Sequence, residues 1–497
     1  MTSAYLRPRT GRFIFSLPAP NGDSERRRPA GPGTGGERAR TQAPAHGARK
    51  RGPGMRVPAR RVRAKQGLQG PYHPAARRGE RIEQGRADVT TFGIVVGGGP
   101  APGINGVIGA ATTVARQEGA KVLGLLEGFR WLMEGDVGHV TELHVDDVSR
   151  IHQLGGSVLQ TSRANPTRDP AKLTNVVDAL ERLGVDHLVT IGGDDTCYSA
   201  RCVAEAAGGR VRVVHVPKTI DNDLPLPDDI PTFGYETARA AAAAILSTLL
   251  EDARTTSRWY LAVLMGRKAG HLALGSGKSA GATVTLVGEE FAEGSIRLDA
   301  VARIVEGAIV KRAATGQPHG VVVLAEGIGE RLDPDDLEGL PDIPRDDHGH
   351  IRLAELPLGR LVRDRVQARL VELGMKTTMV AKDIGYELRC TPPCAFDQEY
   401  TRDLGAGAIR TLLAGTHDVM ITRQGSRIVP IPFDDILDPE TGRTRVRMLD
   451  TTTPAYETAR MLQVRLEEAD LSTPYLSTSL ERATGLDTAA LRKRYLG

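Results

Sequence analysis

Two neighbouring stretches, HLVTIGGDDT at residues 187–196 and VRVVHVPKTIDND at residues 211–223, decide the fold class. Each begins with an apolar run rich in β-branched residues, as buried strands do, and ends in glycine or proline followed by charged residues. The residues between the two stretches have the length and composition of a helix. A strand, a polar turn, a helix and a second strand in that order indicate two parallel strands of one sheet.

The same alternation extends along the chain. Residues 92–96 and 122–126 are predicted strands with a helix at 104–117 between them, and a helix at 171–183 precedes the strand at 187–191. We therefore expect a parallel sheet with helices on both faces. In such sheets ligands bind where strands end and helices begin, so the turns that follow these strands are the candidate site.

A second α/β block begins with an alanine-rich helix at residues 234–252. Its predicted strands cover 259–264, 283–287 and 321–324, and a polar, Asp- and Pro-rich loop at 331–350 interrupts it. A chain of 497 residues exceeds what one hydrophobic core supports, so two blocks agree with its length. The fold class that we predict is α/β, with two Rossmann-like three-layer domains.

The composition is that of a folded protein with an unusual first segment. Of all residues, 40% are hydrophobic and 25% are charged, as in ordinary globular proteins. No run approaches the roughly 18 consecutive apolar residues of a membrane-spanning helix, so no membrane is expected as a partner. Residues 1–90 hold 20 Lys and Arg against 6 Asp and Glu, whereas the other 407 residues hold 45 against 55. Because the folded part is mildly acidic, its charge gives no reason to expect nucleic acid as a partner.

The first 88 residues alternate arginine clusters with Pro and Gly and contain little that a core could bury. Three interpretations are open: an arm for nucleic acid or an anionic surface, a transit peptide, and a disordered extension, which includes upstream sequence read from an early start. Several acidic residues and many prolines argue against a transit peptide. The disordered extension is favoured, because ordering this composition would cost more entropy than burial returns.

Four cysteines, Cys197, Cys202, Cys390 and Cys394, form two pairs with C-x4-C and C-x3-C spacings. Zinc sites usually use tighter pairs, and no histidine lies at ligand spacing beside these cysteines. Reduced thiols of a cytoplasmic protein are therefore favoured over a metal centre.

Glycines follow the first strand in the sequence GGGPAPGIN at residues 97–105. Without a Cβ atom, glycine lets backbone N–H groups approach an anion closely, and the N-terminus of the following helix adds a positive end. A structural turn is the alternative for this stretch alone, and its spacing does not match the G-x-G-x-x-G dinucleotide motif.

Acidic residues follow the next two strands. Asp194 and Asp195 could hold Mg²⁺, which prefers hard oxygen ligands shared with phosphate, or could cap the helix that follows. In PKTIDND, residues 217–223, two carboxylates lie two residues apart with Lys218 just upstream. One aspartate there could orient or deprotonate a hydroxyl while the lysine neutralises phosphate charge, so this stretch predicts phosphoryl transfer.

The second block places arginines next to a strand. Arg267 follows the strand 259–264 within Met-Gly-Arg, and Arg258 precedes the same strand. Arginine near a glycine turn is suited to clamping a sugar phosphate, and Glu326 could accept hydrogen bonds from sugar hydroxyls. Each of these residues alone is more often a surface ion-pair partner than a ligand.

Gly277-Lys278-Ser279 has the appearance of the end of a phosphate-binding P-loop. That motif requires glycine at position 272, where this chain has Leu272. We therefore expect an ordinary loop at these residues.

In combination the strand ends resemble the 6-phosphofructokinase family over residues 91–402, most of the folded part. The resemblance rests on the order of the motifs: the glycine turn, GGDD at 192–195, PKTIDND, Met265-Gly-Arg267, Glu326-Gly and Tyr386-x-x-Arg389. Within the family the chain resembles the pyrophosphate-dependent branch, because ATP-using enzymes usually have glycine where this chain has Asp195. Lys218 is also typical of that branch, although some ATP-using members share the lysine.

The resemblance implies the phosphofructokinase fold and a division into four segments. Residues 1–88 would be the disordered basic tail, 89–232 the phosphoryl-donor domain and 233–389 the sugar-phosphate domain. Residues 390–497 would return to the first domain and add a helical extension.

The resemblance also implies an activity, the reversible Mg²⁺-dependent transfer of phosphate from diphosphate to fructose 6-phosphate, which gives fructose 1,6-bisphosphate. Asp221 would be the base for the 1-hydroxyl, Asp194 would bind Mg²⁺, and Lys218 and Asp195 would also take part in catalysis. Further residues would hold the two substrates: Gly99, Arg163, Asp195 and Lys218 the diphosphate, and Thr219, Ile220, Asp221, Arg258, Met265, Gly266, Arg267, Glu326, Tyr386, Glu387, Leu388 and Arg389 the sugar phosphate. Arg258 would do so from a neighbouring subunit, since family members form oligomers, so a dimer or tetramer is expected.

Two departures from the family pattern affect the sugar-phosphate site. The bacterial ATP-dependent enzymes carry an arginine shortly before the final motif, and the equivalent position here is Val380, so Lys376 or Lys382 could substitute. The usual His-x-x-Arg is also Tyr386-x-x-Arg in this chain.

Three other functions compete with this one. An ATP-dependent 6-phosphofructokinase is the nearest alternative. An NAD kinase shares a Gly-Gly-Asp pattern but would not explain residues 217–223 or 265–267. A nucleic-acid-binding protein would rest on the basic tail alone. A glycolytic enzyme of this kind would be cytoplasmic.

Overall fold

Strands and helices alternate from Thr91 onward, as the sequence predicts. The computed structural model describes residues 89–227, 230–338 and 356–497. The tail at 1–88, predicted to be disordered, and most of the loop predicted at 331–350 lie outside the described residues. All described residues belong to one compact unit. Within these ranges, no helix combines the length and the apolar character needed to cross a membrane.

The first elements build most of one sheet. In chain order they are β1 (Thr91–Val96), α1 (Ile104–Gln117), β2 (Lys121–Leu125), α2 (Arg130–Met133), β3 (Val140–Glu142), α3 (Val145–Val148), α4 (Pro170–Arg182), β4 (His187–Gly192), α5 (Asp194–Ala207), β5 (Arg212–Thr219) and β6 (Phe233–Gly234). The strand predicted at 211–216 continues to Thr219, because the short strand β6 pairs with Lys218 and Thr219.

A second set of elements forms the other block. They are α6 (Tyr235–Thr256), β7 (Trp259–Leu264), α7 (His271–Ala280), β8 (Val284–Leu286), α8 (Leu298–Ala314), β9 (Gly320–Ala325), α9 (Gly327–Glu330), α10 (Leu358–Glu372), β10 (Met379–Ile384) and α11 (Tyr386–Arg389). Gly277-Lys278-Ser279 lies inside helix α7, so the prediction of a loop there is wrong. The glycine is needed within the helix, because a Cβ at Gly277 would lie 2.2 Å from the Thr285 hydroxyl oxygen.

The chain then returns to the first sheet before it ends on the second. The last elements are α12 (Ala395–Leu413), β11 (Val419–Gln424), β12 (Arg427–Pro432), α13 (Pro454–Met461), α14 (Glu468–Ser472), α15 (Pro474–Thr484) and α16 (Thr488–Tyr495). Strand β11 pairs in parallel with β5. Leu471, Leu480 and Leu491 of the final helices pack into the same apolar core as Val322 of β9.

Both sheets align the carboxyl ends of their central strands. The first has the order β12-β11-β5-β4-β1-β2-β3, with β6 paired to β5, and only β3 and β12 run antiparallel to their neighbours. Its register sets Val96, Ile191 and Val216 side by side. The second sheet, β10-β7-β9-β8, is parallel throughout, and β10, β7 and β9 end at the same level. The turns that follow these strands therefore meet along one edge of each sheet.

Helices cover both faces of each sheet, which confirms the predicted three-layer α/β class. On the first sheet, α1 and α12 form one outer layer while α4 and α5 form the other. Helices α1 and α12 approach each other closely, because glycine stands at the contact. A Cβ at Gly405 would lie 2.4 Å from the Val107 carbonyl oxygen, and one at Gly106 would lie 2.1 Å from the Thr401 hydroxyl oxygen.

Candidate active site

A cavity of about 420 Å³ lies where the carboxyl ends of the two sheets face each other. Turns from both sheets line it, so residues more than 200 positions apart in the sequence meet there. The structure brings together these of the residues that we predicted: Gly99, Arg163, Asp194, Asp195, Lys218, Thr219, Ile220, Asp221, Met265, Arg267, Glu326, Tyr386 and Arg389.

Four other predicted residues do not line this cavity. The backbone N–H of Gly266 donates to Glu326 Oε1 (3.0 Å), and Glu387 accepts a hydrogen bond from the Gly385 N–H (3.0 Å). Leu388 is fully buried in the apolar core. Arg258 precedes β7, at the end opposite to the cavity, and its Nε lies 4.0 Å from an Asp252 carboxylate oxygen.

The lysines that we proposed as substitutes for the family arginine also lie elsewhere. Val380 and Lys382 are within β10, and Lys376 is exposed just before that strand. A different cation, Lys268, lines the cavity immediately after Arg267. The second block therefore supplies its extra positive charge from the turn after β7.

The glycine turn after β1 is fixed by backbone contacts. Gly98 has φ +80°, a left-handed conformation that suits glycine, and its N–H donates to the Ser162 carbonyl (2.9 Å). The carbonyl of Gly99 accepts a hydrogen bond from Lys218 Nζ (2.6 Å). The buried ammonium group is thereby held against the turn that precedes α1.

Asp194 and Asp195 form the first turn of α5, where acidic side chains also complement the helix dipole. Close packing sets the turn before them, because a Cβ at Gly192 would lie 2.3 Å from Thr196 Cβ. The N-cap residue is Gly193 and no side chain caps this helix, so the capping role that we considered for these aspartates is not observed. Both carboxylates line the space that Lys218 also faces.

A buried histidine also holds the turn between β4 and α5. His215 is fully buried, with Nε2 3.0 Å from the Gly192 carbonyl oxygen and Nδ1 2.8 Å from Thr190 Oγ1. Since a carbonyl can only accept, Nε2 carries the proton and Nδ1 accepts from the threonine hydroxyl. Burial lowers the pKa of His215 to about 3, so the imidazole is neutral.

Lys218 is a buried cation among carboxylates. Burial, aided by the nearby Arg389, lowers its pKa to about 8, whereas Asp221, Asp194 and Asp223 act in the opposite direction. Arg389 approaches from the second block, and its guanidinium carbon lies 3.7 Å from where a Cβ would stand on Gly99. Both cations therefore lie next to Gly99 in the glycine turn.

Asp221 and Asp223 are carboxylates withdrawn from solvent. Burial and the Glu326 carboxylate raise the pKa of Asp221 above the usual range of an aspartate. Burial, together with Asp221 and Asp194, raises the pKa of Asp223 as well. Asp221 Oδ1 is buried and accepts no hydrogen bond from any described residue. A carboxylate with a raised pKa and an oxygen that accepts no hydrogen bond from a described residue is equipped to accept a proton from a ligand.

The second block lines the cavity with cations and a single acid. Arg389 lies over the ring of Tyr386, with 5.2 Å from its guanidinium carbon to the ring centre. Burial raises the pKa of Glu326, whose Oε1 is fixed by the Gly266 N–H (3.0 Å). Such a set of positive groups beside a carboxylate can bind a phosphate ester that also bears hydroxyl groups.

Sequence reasoning missed several residues that line the cavity. They are Phe129, Ala164, Asn165, Thr196, Ser199 and Lys268, and Asp223 was noted without a role. Lys268 had a signal, because it directly follows the Met-Gly-Arg turn. Asn165 holds a local turn by accepting the Thr167 N–H (2.9 Å), which the sequence alone does not place near the cavity.

The cysteines form no shared site. All four are free thiols, and Cys197, a residue of α5, is buried in the core that α4 and α5 form with the first sheet. Among the described residues, no three His, Cys, Asp or Glu side chains are grouped as a metal site.

Comparison with known proteins agrees with this geometry. Residues 91–412 match a family described as Phosphofructokinase. The chain is 48% identical over 409 residues to the pyrophosphate–fructose 6-phosphate 1-phosphotransferase of Thermotoga maritima, which covers 81% of this chain and 97% of that protein. It is 32% identical over 352 residues to an ATP-dependent 6-phosphofructokinase of Mycobacterium tuberculosis, and the aligned region covers 69% of this chain and 93% of that protein. The crystal structure of a pyrophosphate-dependent phosphofructokinase from Marinobacter aquaeolei superposes with a TM-score of 0.57 over 79% of this chain and 92% of that one. Its sequence identity is 16%, so this likeness bears on the fold alone.

Proposed function

The chain belongs to the phosphofructokinase family, and we propose that it transfers a phosphoryl group from diphosphate to the 1-hydroxyl of fructose 6-phosphate. The observation that carries this proposal is that Asp195 and Lys218 line one cavity with Asp221, Arg267 and Arg389. The Thermotoga maritima relative, 48% identical, is named for the same reaction. The bond broken and the bond formed are of similar free energy, so the reaction is reversible.

Asp221 is the base in this proposal. Its raised pKa makes it a stronger proton acceptor than an exposed aspartate, and its Oδ1 accepts no hydrogen bond from a described residue. It takes the proton of the 1-hydroxyl as that oxygen attacks the phosphorus atom. The remaining contribution is positioning and charge neutralisation, without a covalent enzyme intermediate.

The diphosphate lies against the turns of the first sheet in this proposal. Gly99 lets it approach the backbone, and Lys218 neutralises the charge that develops on the leaving phosphate. Arg163 lines the same space and contacts the phosphoryl group in transfer. Asp195 fills the space that a nucleotide's α-phosphate would need and repels an anion placed there.

A divalent cation, Mg²⁺, fits the acidic side of the cavity. Burial, and after it the carboxylates of Asp221 and Asp194, raise the pKa of Asp223, so several acidic groups lie close together there. Magnesium sites commonly use only one or two protein carboxylates together with substrate phosphates, and Asp194 provides such a ligand. When bound, the ion neutralises charge on the diphosphate oxygens.

The sugar phosphate lies against the second block in this proposal. Arg267 and Arg389 bind its phosphate, and Glu326 accepts hydrogen bonds from its hydroxyl groups. Thr219, Met265 and Tyr386 shape the remaining wall. Ile220, Gly266, Glu387 and Leu388 support these groups through the backbone and the packing beneath them.

Arg258 requires a second subunit in this proposal. Because it lies beyond the far end of β7, it reaches the sugar of a neighbouring copy rather than that of its own chain. A homodimer or homotetramer follows, which the mass in solution tests directly. A cytoplasmic location agrees with four free thiols and with a glycolytic reaction.

The choice of donor tests the proposal. Purified protein with Mg²⁺ and fructose 6-phosphate is expected to turn over with diphosphate and to show little or no activity with ATP. Asp195→Gly is expected to lose diphosphate activity and to admit some ATP, because the space and the repulsion are both removed. The coupled assay measures fructose 1,6-bisphosphate formation with each donor.

A matched control shows whether the effect of Asp195 depends on its place in the cavity or only on the loss of one negative charge. Asp178→Asn removes an exposed carboxylate of α4, outside the cavity, and is expected to keep the donor preference, whereas Asp195→Asn is expected to weaken it. Equal turnover of the unaltered protein with ATP and with diphosphate would contradict the proposal, because Asp195 would then exclude nothing.

A further inference from the structure

A short segment near the C-terminal end of the chain crosses the active-site end of the molecule. Residues 444–449, which we call the strap, form no helix or strand apart from one isolated bridge between Thr444 and Leu437. They lie beyond residue 412, where the match to the family ends. The family motifs therefore say nothing about what this segment does.

The strap is attached to both blocks. Thr444 Oγ1 donates to the Asp194 carbonyl oxygen (3.3 Å), in the acidic turn of the first block. In the second block, His271 Nε2 donates to the Arg447 carbonyl oxygen (3.1 Å), and the Leu449 N–H donates to Glu289 Oε1 (3.1 Å). These three hydrogen bonds fix the backbone of the strap, and so they fix the position from which the Arg447 side chain extends.

Arg447 is directed into the loop that carries the base. Its Nε and Nη2 donate to the Asn222 carbonyl oxygen (3.1 and 3.0 Å), and Nη2 also donates to Asn222 Oδ1 (2.6 Å). Its Nη1 donates to the Ile230 carbonyl oxygen (3.1 Å), and its backbone N–H donates to the Asp223 carbonyl oxygen (2.7 Å). One residue thus satisfies backbone carbonyls at several points of a loop that has no partner strand for them.

Asn222 needs that support, because its backbone is left-handed. Its φ is +60°, a conformation that is sterically unfavourable for a residue with a side chain, although asparagine tolerates it better than most. Its Oδ1 also accepts the Thr232 N–H (3.0 Å), so the side chain is held from two directions. A strained residue keeps its conformation only where the surroundings fix it.

The direction of the Asp221 carboxylate depends on this neighbour. The Asp221 N–H donates to Thr219 Oγ1 (3.0 Å), but its Oδ1 accepts no hydrogen bond from a described residue. The carboxylate also accepts a hydrogen bond from the Arg267 backbone N–H. Its direction therefore depends on that contact and on its own backbone, in which the following residue, Asn222, is the one that Arg447 binds.

We propose that Arg447 is a positioning residue for the reaction: it holds Asn222 in its left-handed conformation and so aims the Asp221 carboxylate at the acceptor hydroxyl. The inference rests on the proposed function, in which Asp221 is the base. A base that is misplaced by about 1 Å loses on the order of 100-fold in rate, which sets the size of the expected effect.

The first test is a set of single variants. Arg447→Ala is expected to lower kcat on the order of 100-fold while the KM values for both substrates change by less than about threefold. Arg447→Lys, which keeps the charge but not the planar fork, is expected to fall between Arg447→Ala and the unaltered protein. Arg445→Ala, two residues away, removes an exposed side chain that donates to the Asp435 carbonyl, and is expected to keep kcat within about twofold.

The second test separates positioning from stability. In an Asp221→Asn background, Arg447→Ala is expected to lower kcat little further, because a positioning residue acts only through the group that it aims. A purely structural role would instead lower the active fraction by the same factor in both backgrounds. Equal losses in the two backgrounds would therefore overturn the inference.

Failure of the proposed function and failure of the inference about Arg447 give different experimental results. The unaltered protein decides the proposed function, and the ratio of variant to unaltered kcat, taken with whichever donor the protein uses, decides the role of Arg447. If Arg447→Ala does not fold, Arg447→Lys decides: kcat within twofold of the unaltered value would overturn the inference, and a loss of tenfold or more with unchanged KM values would support it.

Discussion

The two walls of the active-site cavity carry opposite charges. The wall from the first sheet contributes four carboxylates and two cations: Asp194, Asp195, Asp221, Asp223, Lys218 and Arg163. The wall from the second sheet contributes three cations and one carboxylate: Arg267, Lys268, Arg389 and Glu326. A sugar phosphate can bind the second wall with side chains alone, whereas diphosphate on the first wall needs added positive charge. The comparison predicts that metal dependence belongs to the donor and not to the sugar.

The largest effect is expected from Asp221, a carboxylate of the first wall. Asp221→Asn should lower the forward kcat by about 10²–10⁴-fold, the usual contribution of a general base. The affinity for fructose 6-phosphate should change much less, since the cationic wall holds the phosphate. Steady-state kinetics with both substrates measure the two quantities separately.

A matched variant on the other wall sharpens this prediction. Glu326→Gln should mainly raise the KM for fructose 6-phosphate and should lower kcat less than Asp221→Asn does, because Glu326 binds rather than reacts. If Asp221→Asn keeps near-normal turnover, the base has been assigned to the wrong residue.

Metal removal tests the difference between the walls directly. After treatment with EDTA, diphosphate should bind at least tenfold more weakly, because carboxylates then face an uncompensated anion. Fructose 6-phosphate should bind within about twofold of its original affinity. Calorimetric titration of each substrate, with and without restored Mg²⁺, measures both affinities. Equal weakening of diphosphate and fructose 6-phosphate binding would contradict the prediction that only the donor depends on the metal.

The smallest effect is expected from pH. The lysine must be protonated to neutralise phosphate, and burial lowers the pKa of Lys218 to about 8, so kcat/KM should fall as pH rises through about 8. The base must be ionised, and because the pKa of Asp221 is raised, the rate should fall on the acid side at a higher pH than an exposed aspartate would give. Each limb should approach tenfold per pH unit at saturating Mg²⁺.

Lys218→Met identifies the group behind the alkaline limb. The variant should be slower throughout but should lose the decline near pH 8, since no ammonium remains to deprotonate. An unchanged alkaline limb in this variant would assign that limb to another group.

Much of the site was predictable from sequence because its signals are local. A buried strand that ends in glycine and aspartate must place those residues at the carboxyl edge of a sheet, and the parallel register sets such turns side by side. For that reason Asp194, Lys218, Asp221 and Arg267 meet in one cavity. The same rule places the start of β7, and with it Arg258, at the opposite edge, so Arg258 does not line the cavity of its own chain.

What the sequence could not predict depends on tertiary contacts. Arg447 lies 224 residues after Asp223, in a segment without regular structure, so no spacing links it to the base. The loop expected at Gly277 is wrong for a similar reason. A loop was expected there because the stretch fails the P-loop motif at Leu272, whereas the glycine serves the close contact of helix α7 with Thr285.

The interrupted first sheet has a consequence for synthesis on the ribosome. The β5 edge and the glycine-bearing surface of α1 stay uncovered until β11 and α12 emerge. These two elements emerge only after the whole second block has been translated. A nascent chain that stops before residue 395 exposes an unpaired strand and an apolar helix face, both of which favour aggregation. Since α12 is the first of these elements to emerge, its docking covers α1 before the sheet can close, and premature termination between residues 413 and 419 leaves a covered helix beside an open edge.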